Sequence, residues 1–420
     1  MIRAGAAIVD ITPPAGLLLS GFAARSEPAT GAHDPLTVRA VAVNDTALVV
    51  ADVIGLHGDM SARIRAACHL PQDNVLIAAL HNHGGPVSMA GRLSLASDPA
   101  YLARLEAACV EAINQAVANQ RPATLAAGLG TDPDVARNRR HAGGTVDRAV
   151  PVIRIRAEDG TMIAVVTSYA CHPVVLGADN RLWTADYPHF VRRDIEAAYP
   201  GAVALFLTGC TGDANTGHSA HASVSLAANP DRTYEAAERI GGRIAQAALA
   251  APEAPLGTRI AAGNAEVVLR QERRETEPPK TLAAEWRSEM AGAAPARAAL
   301  LGHWIDWAEN IAPQTLVPMV ERVTVLDWGG LPIVGLPGEI FAETALYIRA
   351  QLPAESPAII ADFAEDNPGY ISPASEFPFG GYEVDEAHRY YGQPAGFAAG
   401  SAEALADAAI AQLASQGLTK

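Results

Sequence analysis

Residues Asn74-Val-Leu-Ile-Ala-Ala-Leu-His-Asn-His-Gly-Gly-Pro86 set the frame for the whole chain. A short apolar run rich in branched side chains is the signature of a buried strand, and the Gly84-Gly85-Pro86 breaker ends it abruptly. Two imidazoles, His81 and His83, are thereby delivered to the mouth of that strand. In extended chain residues two apart share a face, so both rings are expected to look into one cleft with Asn82 turned away. Such a pair divides naturally into a metal ligand and a supporting neighbour. So short a pattern reads equally well as two satisfied core or surface histidines, and partners elsewhere in the chain must decide.

Working outward from this stretch, residues 6–14 read as a strand running into a turn. Residues 36–43 and 47–53 read as a strand pair joined at Asn44-Asp45, with Asp52 at the end of the second strand. A helix over 61–68 leads into the histidine strand, and apolar spacing of three and four predicts a longer helix over 99–119. Strands are expected at 123–129, 150–157 and 162–169. The alternation of strand and helix predicts an α/β fold with mixed β-sheets flanked by helices.

The strand beginning at Met162 ends in Tyr169-Ala-Cys-His-Pro173, which places His172 where a second apolar run stops. Thr184-Ala-Asp-Tyr-Pro-His189 then precedes an amphipathic helix to Tyr199, and Ala202-Val-Ala-Leu-Phe-Leu-Thr-Gly-Cys-Thr-Gly-Asp-Ala-Asn215 again runs from strand into a glycine-rich loop. Three separate strands finish in polar residues. Active sites are commonly assembled from loops at strand ends, so this convergence says more than any one motif.

In the second half, helices are expected over 232–251 and about 280–310, the latter an alanine-rich, polar excursion over the surface or a lid. A strand pair at 320–327 and 331–334 delivers Gly335-Leu-Pro-Gly-Glu339 to a helix over 340–352. Glu339 in that helix's first turn would complement the dipole, a reading that competes with a metal role. A strand at 357–362 is followed by the loops Asn367-Pro-Gly-Tyr-Ile-Ser372 and Gly380-Gly-Tyr-Glu383, carrying Tyr370 and Tyr382, and a helix over 402–416 closes the chain.

Composition narrows the function classes. A chain of 420 residues with 49% hydrophobic residues buries a large core. Mean hydropathy is +0.10, and no run of eighteen apolar residues is present to span a membrane. Asp10 and Pro13-Pro14 interrupt the early apolar patch before it could form a signal-peptide core, so a cytoplasmic location is expected. Cys68, Cys109, Cys171 and Cys210 lack C-x-x-C spacing and read as small buried hydrophobes. The net charge of −15 repels phosphate backbones, and the one basic cluster, Arg137-Asn-Arg-Arg140, reads on charge alone as a solvated face. No nucleic-acid partner is expected.

Taken together, His81-Asn-His-Gly-Gly-Pro86, Arg137-Asn-Arg139 with Asp147 after it, Tyr169-Ala-Cys-His-Pro173, Gly209-Cys-Thr-Gly-Asp213, Pro337-Gly-Glu339, and Gly369-Tyr-Ile-Ser372 with Tyr382 beyond it resemble the neutral, non-lysosomal ceramidase family. The blocks follow the family's order to about Tyr391. The resemblance implies a zinc-dependent amidase with an α/β catalytic domain. Carried over residue by residue, it implies His81, His172, Glu339 and Tyr370 as metal ligands. It likewise implies His83 as a substrate-facing histidine, Arg139 as an active-site arginine and Tyr382 as a donor to the oxyanion. Two imidazoles and a carboxylate would leave zinc an open position for water, whose pKa the metal lowers.

The chain departs from the family pattern in two places. Where ceramidases carry an active-site serine after the Gly-Asp of the fourth block, this chain has Asn215, which can hydrogen-bond a substrate but cannot act as a nucleophile. The sequence also stops soon after the last block, without the family's immunoglobulin-like domain. The expectation is therefore a single catalytic domain over 1–420 that hydrolyses a small acyl substrate by metal-activated water. Long-chain ceramide is not the expected substrate. An esterase, lactonase or sugar-derivative enzyme using the same chemistry, and a non-catalytic small-molecule binding protein, are the alternatives.

Overall fold

In the computed structural model, which describes residues 1–93, 96–218 and 229–420, one pattern of elements occurs three times. Three antiparallel strands are followed by a helix that crosses over to a fourth strand, parallel to the third, and a second helix closes the unit. The first copy comprises β1 (Ile2–Asp10), β2 (Thr37–Val43), β3 (Thr46–Ala51), α1 (Gly58–Ala67), β4 (Val75–Ala79) and α2 (Pro99–Ala118). The second comprises β5 (Arg121–Gly130), β6 (Val150–Ala157), β7 (Met162–Tyr169), α3 (Tyr187–Ala198), β8 (Val203–Thr208) and α4 (Tyr234–Ala250).

The third copy begins with β9 (Ile260–Leu269) and carries an inserted pair, α5 (Pro279–Met290) and α6 (Pro295–Asp306). It resumes with β10 (Met319–Trp328), β11 (Pro332–Gly335), α7 (Ala342–Arg349), β12 (Ile359–Ala361) and α8 (Ser401–Ser415). The first two copies merge into one sheet because β1 pairs antiparallel with β5. The third forms its own four-stranded sheet. These are the mixed α/β sheets flanked by helices expected from the sequence.

Local chemistry explains the element boundaries. Every residue of β2 and β3 is buried, and they are joined at Asn44, whose φ of 50° is one that asparagine tolerates in a tight turn. α2 starts where Asp98 accepts from the Tyr101 N–H, with Pro99 in the first turn, where a missing N–H does no harm. Asp186 caps α3 and also accepts from the N–H groups of Val175 and Leu176, so one buried carboxylate ties the loop after β7 to the helix.

The fourth strands of all three copies meet at their carboxyl ends. Ala79 N donates to Phe363 O at 3.0 Å, Thr208 Oγ1 donates to Leu80 O at 2.7 Å, and Asp362 N donates to Thr208 O at 3.3 Å. Bridges between Ala78 and Ala364 and between Gly209 and Ala361 complete the junction. The loops at this junction carry the polar residues singled out from the sequence.

Three expectations need correction. The helix expected over 340–352 begins only at Ala342, because Glu339 and Ile340 pair in parallel with Tyr370 and Ile371. Glu339 therefore lies in extended chain, not in a helical first turn. His81 is not extended either: its φ is +63°, a left-handed conformation that bulky side chains seldom adopt. Finally, β9 goes unread in the sequence, since Ile260-Ala-Ala-Gly-Asn-Ala-Glu-Val-Val-Leu269 is rich in weak strand formers.

Candidate metal centre

β4 stops at Ala79, and the next turn swings His81 back beneath the first repeat. Its N–H donates to Val53 O, its ring stacks on Phe363 at 3.8 Å, and its Nδ1 lies 2.6 Å from Ile54 O. His172, after β7, directs its own Nδ1 at Thr211 O at 2.7 Å. A carbonyl oxygen only accepts, so in both rings Nδ1 carries the proton and Nε2 presents a lone pair.

Those two Nε2 atoms lie 3.6 Å (His81) and 3.0 Å (His172) from Glu339 Oε2. Two ligands each about 2.0–2.1 Å from a tetrahedral zinc ion stand roughly 3.3 Å apart, so the observed spacings bracket the requirement. His83 Nε2 is 3.4 Å from His81 Nε2, and the ligand nitrogens of His81, His83 and His172 all lie within 4.8 Å of one another. His83 packs against Phe22, and its Nδ1 is buried without a partner among the described residues. The donor set fits a metal ion: lone pairs point inward and each ligand ring is held from behind.

Electrostatics are consistent with this. Burial holds His81 down at about 3, and burial with the neighbouring imidazoles holds His83 well below the ordinary histidine range, so both rings are neutral at pH 7. Burial alone would push the Glu339 carboxyl up, but His81, His172 and the Tyr370 hydroxyl overcome it and bring it down to about 2. The Tyr391 hydroxyl donates to the second oxygen of Glu339. Glu339 is thus an ionised carboxylate with one oxygen held by a phenol and the other turned to the histidines.

Arg139 lies behind this group. It donates from Nη2 to Tyr370 Oη at 2.8 Å and to Gly212 O at 2.9 Å, and from Nε to Glu383 Oε1 at 2.9 Å. Glu383 takes a further bond from Arg140 Nη1 at 2.6 Å. Of the basic cluster read as a solvated face, Arg139 and Arg140 therefore form an internal clamp, while Arg137 stays on the surface and pairs with Asp134. Burial pushes the Tyr370 phenol well above its ordinary value against the opposing pull of Arg139. The rings of Tyr370 and Tyr382 meet edge to face at 5.6 Å.

Tyr382 lines a cavity of about 120 Å³ shared with Gly21, Leu93, Trp307, Arg389 and Tyr390. The helical excursion supplies one wall of this cavity through His303, Asp306, Trp307 and Ile311.

The structure therefore brings together His81, His83, His172 and Glu339, and links Tyr370, Arg139 and Tyr382 to them. Asn215 is engaged otherwise. Its Oδ1 accepts from the N–H groups of Gly217 and His218 at 2.7 and 2.9 Å, and its Nδ2 donates to His218 O at 2.7 Å. In this structure both amide atoms of Asn215 are bonded within its own loop. The sequence reading gave no role to Tyr391, Phe363 or Glu383. Glu383 stands next to Tyr382 in a stretch already singled out, whereas no local pattern marks Phe363 or Tyr391 as lying against a metal ligand.

No family model matches the sequence, and no curated protein matches it. Among solved structures, the chain is similar to the neutral ceramidase from Pseudomonas aeruginosa, with a TM-score of 0.75 over 98% of this chain and 74% of that chain at 17% identity. A ceramidase complexed with C2 gives a TM-score of 0.73 over 99% of this chain and 76% of that chain at 16% identity. At such identities the likeness is one of architecture, and it agrees with the resemblance carried by the sequence blocks: the chain has the neutral ceramidase-like fold.

Proposed function

We propose that this chain is a zinc-dependent hydrolase that cleaves an N-acyl bond by attack of water. The observation that carries the reading is the pair of imidazoles whose Nδ1 atoms are fixed by Ile54 O and Thr211 O while their Nε2 atoms face one ionised carboxylate at 3.6 and 3.0 Å. His81, His172 and Glu339 would hold the ion, with Tyr370 beside them. A zinc ion so held supplies a Lewis acid and brings water ionisation towards neutral pH.

The remaining work falls to the protein. Tyr382, which lines the cavity, would donate to the acyl oxygen as negative charge develops there. Arg139 fixes Tyr370 and contributes positive charge from behind. His83 is neutral, faces the same point as the ligands, and contacts substrate in the cleft. The substrate is a small acyl compound bearing polar groups, since the cavity next to Tyr382 is lined by His303, Asp306 and Arg389 as well as by aromatic rings.

The test is metal analysis of protein purified without chelators, followed by amine release from N-acyl amino acids, short N-acyl amines and long-chain ceramides. About one zinc per chain, with turnover that a chelator removes and zinc restores, is the expected result. Protein that binds no zinc and hydrolyses none of these compounds would overturn it.

A further inference from the structure

Among the described residues, the side chain of Arg389, a charged group lining the cavity, has no hydrogen-bond partner. The side chain of Arg389 is 10% exposed, and its guanidinium carbon lies 5.2, 4.8 and 5.2 Å from the ring centres of Trp286, Trp304 and Trp307. These rings come from α5, α6 and the turn after α6, so the inserted helices enclose this arginine. Aromatic faces balance a cation's charge, but they leave its in-plane N–H donors unmet. Among the described residues no oxygen accepts from Arg389, and its Nε is buried without a partner. Glu275 Oε1 is 4.0 Å from its Nη2, beyond hydrogen-bond reach, and faces His388 Nε2 at 3.2 Å.

Other arginines in the interior also leave one nitrogen unpartnered, Arg25, Arg154 and Arg192 among them, but each is anchored by hydrogen bonds through its remaining nitrogens. Arg139 and Arg192 make two or more hydrogen bonds each, including bonds to carboxylates. A buried guanidinium nitrogen without an acceptor is costly unless a ligand supplies one, and the terminal nitrogens of Arg389, which are not sealed off, are open to that ligand. Arg389 lines the same cavity as Tyr382, so any ligand reaching Tyr382 passes beside it. A planar carboxylate matches the guanidinium fork, and pairs of this kind give both strength and orientation. The chain's charge of −15 repels anions at long range, but that repulsion is screened within about 8 Å at physiological ionic strength and leaves contact recognition to the local group.

We infer that Arg389 determines specificity in this cleft by binding a carboxylate of the substrate, so that the acyl compounds taken are carboxylate-bearing ones. The inference deepens the reading above as an N-acyl hydrolase, and its test is a binding measurement that does not depend on turnover. The protein as purified is titrated by calorimetry and tryptophan fluorescence with two probe pairs. N-acetyl-leucine against N-acetyl-leucinamide places the carboxylate on the amine side, and glutaric acid monobutylamide against its methyl ester places it on the acyl side. In at least one pair the carboxylate is expected to bind about tenfold tighter or more than its uncharged partner, in line with a charged hydrogen-bonded pair. Arg389→Gln should abolish that preference. Arg389→Lys, which keeps the charge and loses the fork, should reduce it several-fold and serves should the glutamine variant fail to fold. Equal binding within both pairs, or a preference unchanged in the Arg389 variants, overturns the inference. A preference that depends on Arg389, with no hydrolysis of any probe, would instead leave the inference standing and remove the hydrolase reading.

Discussion

Glu339 Oε2 stands 3.0 Å from His172 Nε2, although 167 positions separate the two residues in the chain. The repeats explain the closeness: His172 leaves β7 and Glu339 leaves β11, each the third strand of its copy. In the first copy the equivalent place after β3 is Ile54, whose carbonyl receives Nδ1 of His81. One structural position, used three times, therefore supplies two of the proposed metal ligands and the carbonyl that supports a third. His81→Ala or His172→Ala should lose zinc and turnover together, the latter on the order of a hundredfold or more. Elemental analysis beside kinetics checks this, and stoichiometric zinc in His172→Ala would remove His172 from the centre.

His83→Ala should keep zinc and lose turnover if, as proposed, His81, His172 and Glu339 are the protein ligands. The nearness of His83 Nε2 to His81 Nε2, 3.4 Å, makes this the decisive variant. If metal leaves with the His83 ring, the centre is built from three histidines.

Acid should weaken the metal-free protein through the same ring. His83 is held well below its ordinary value by burial first and by the neighbouring imidazoles next. A group depressed in the folded state contributes stability that is complete above its unfolded pKa of about 6.5 and is lost as pH falls below it. His83→Phe removes that proton uptake from unfolding. Between pH 6.5 and 5 its stability should fall less steeply than that of the wild type, by up to about 1.4 kcal/mol per pH unit. Denaturant titrations of the chelated proteins would show it, and parallel slopes would mean that His83 titrates freely when folded.

What could be read in advance divides by range. The runs at Val75–Ala79, Val150–Ala157 and Met162–Tyr169 declare themselves through consecutive branched residues, and the first and last of them lead into His81 and His172. The left-handed turn at His81 has no such signal: alternation in a strand predicted that the His81 and His83 rings share a cleft, and they do, but by a different route. The pairing of Glu339 with Tyr370 is a contact across the chain, so local helix chemistry captured the residue and misplaced its backbone. β9 depends on its register with β10, from Ile260 opposite Trp328 to Leu269 opposite Met319, which its weak composition does not announce. The threefold pattern of elements is likewise a matter of topology.

Asp52, conspicuous at the end of a strand, belongs to the scaffold. Arg192 grips it through two bonds of 2.6 and 2.9 Å, and both side chains are buried. Asp52→Ala leaves a buried guanidinium unpaired and should destabilise the protein by about 3–5 kcal/mol. Metal content at 10 °C should not change in the folded fraction. A stability loss under about 1 kcal/mol would mean that water replaces the carboxylate freely.

Tyr382→Phe removes one hydroxyl from a residue that lines the cavity and leaves the ring contacts with Tyr370 and Tyr390 in place. If that hydroxyl stabilises the developing oxyanion, kcat should fall about 10²–10³-fold with little change in KM or zinc. A rise in KM at constant kcat would assign Tyr382 to ground-state binding instead.

Asn215 should prove a loop residue whose replacement alters stability and leaves selectivity alone. Its amide oxygen accepts two backbone N–H groups at 2.7 and 2.9 Å, and its nitrogen donates to His218 O at 2.7 Å, all within three residues. Losing these buried bonds costs roughly 1–3 kcal/mol, so Asn215→Ala should lower stability by that order. Asn215→Asp keeps the acceptor and should lose less. In both variants the ratio of kcat/KM for a short N-acyl compound to that for a long-chain ceramide should stay within about threefold of wild type, below half a decade on the free-energy scale. Asn215→Ser is the discriminating change, since it restores the residue type that the ceramidase family carries at this position. If it shifts the ratio towards ceramide by more than about tenfold, the amide reaches substrate after all, and the loop geometry must rearrange when substrate binds.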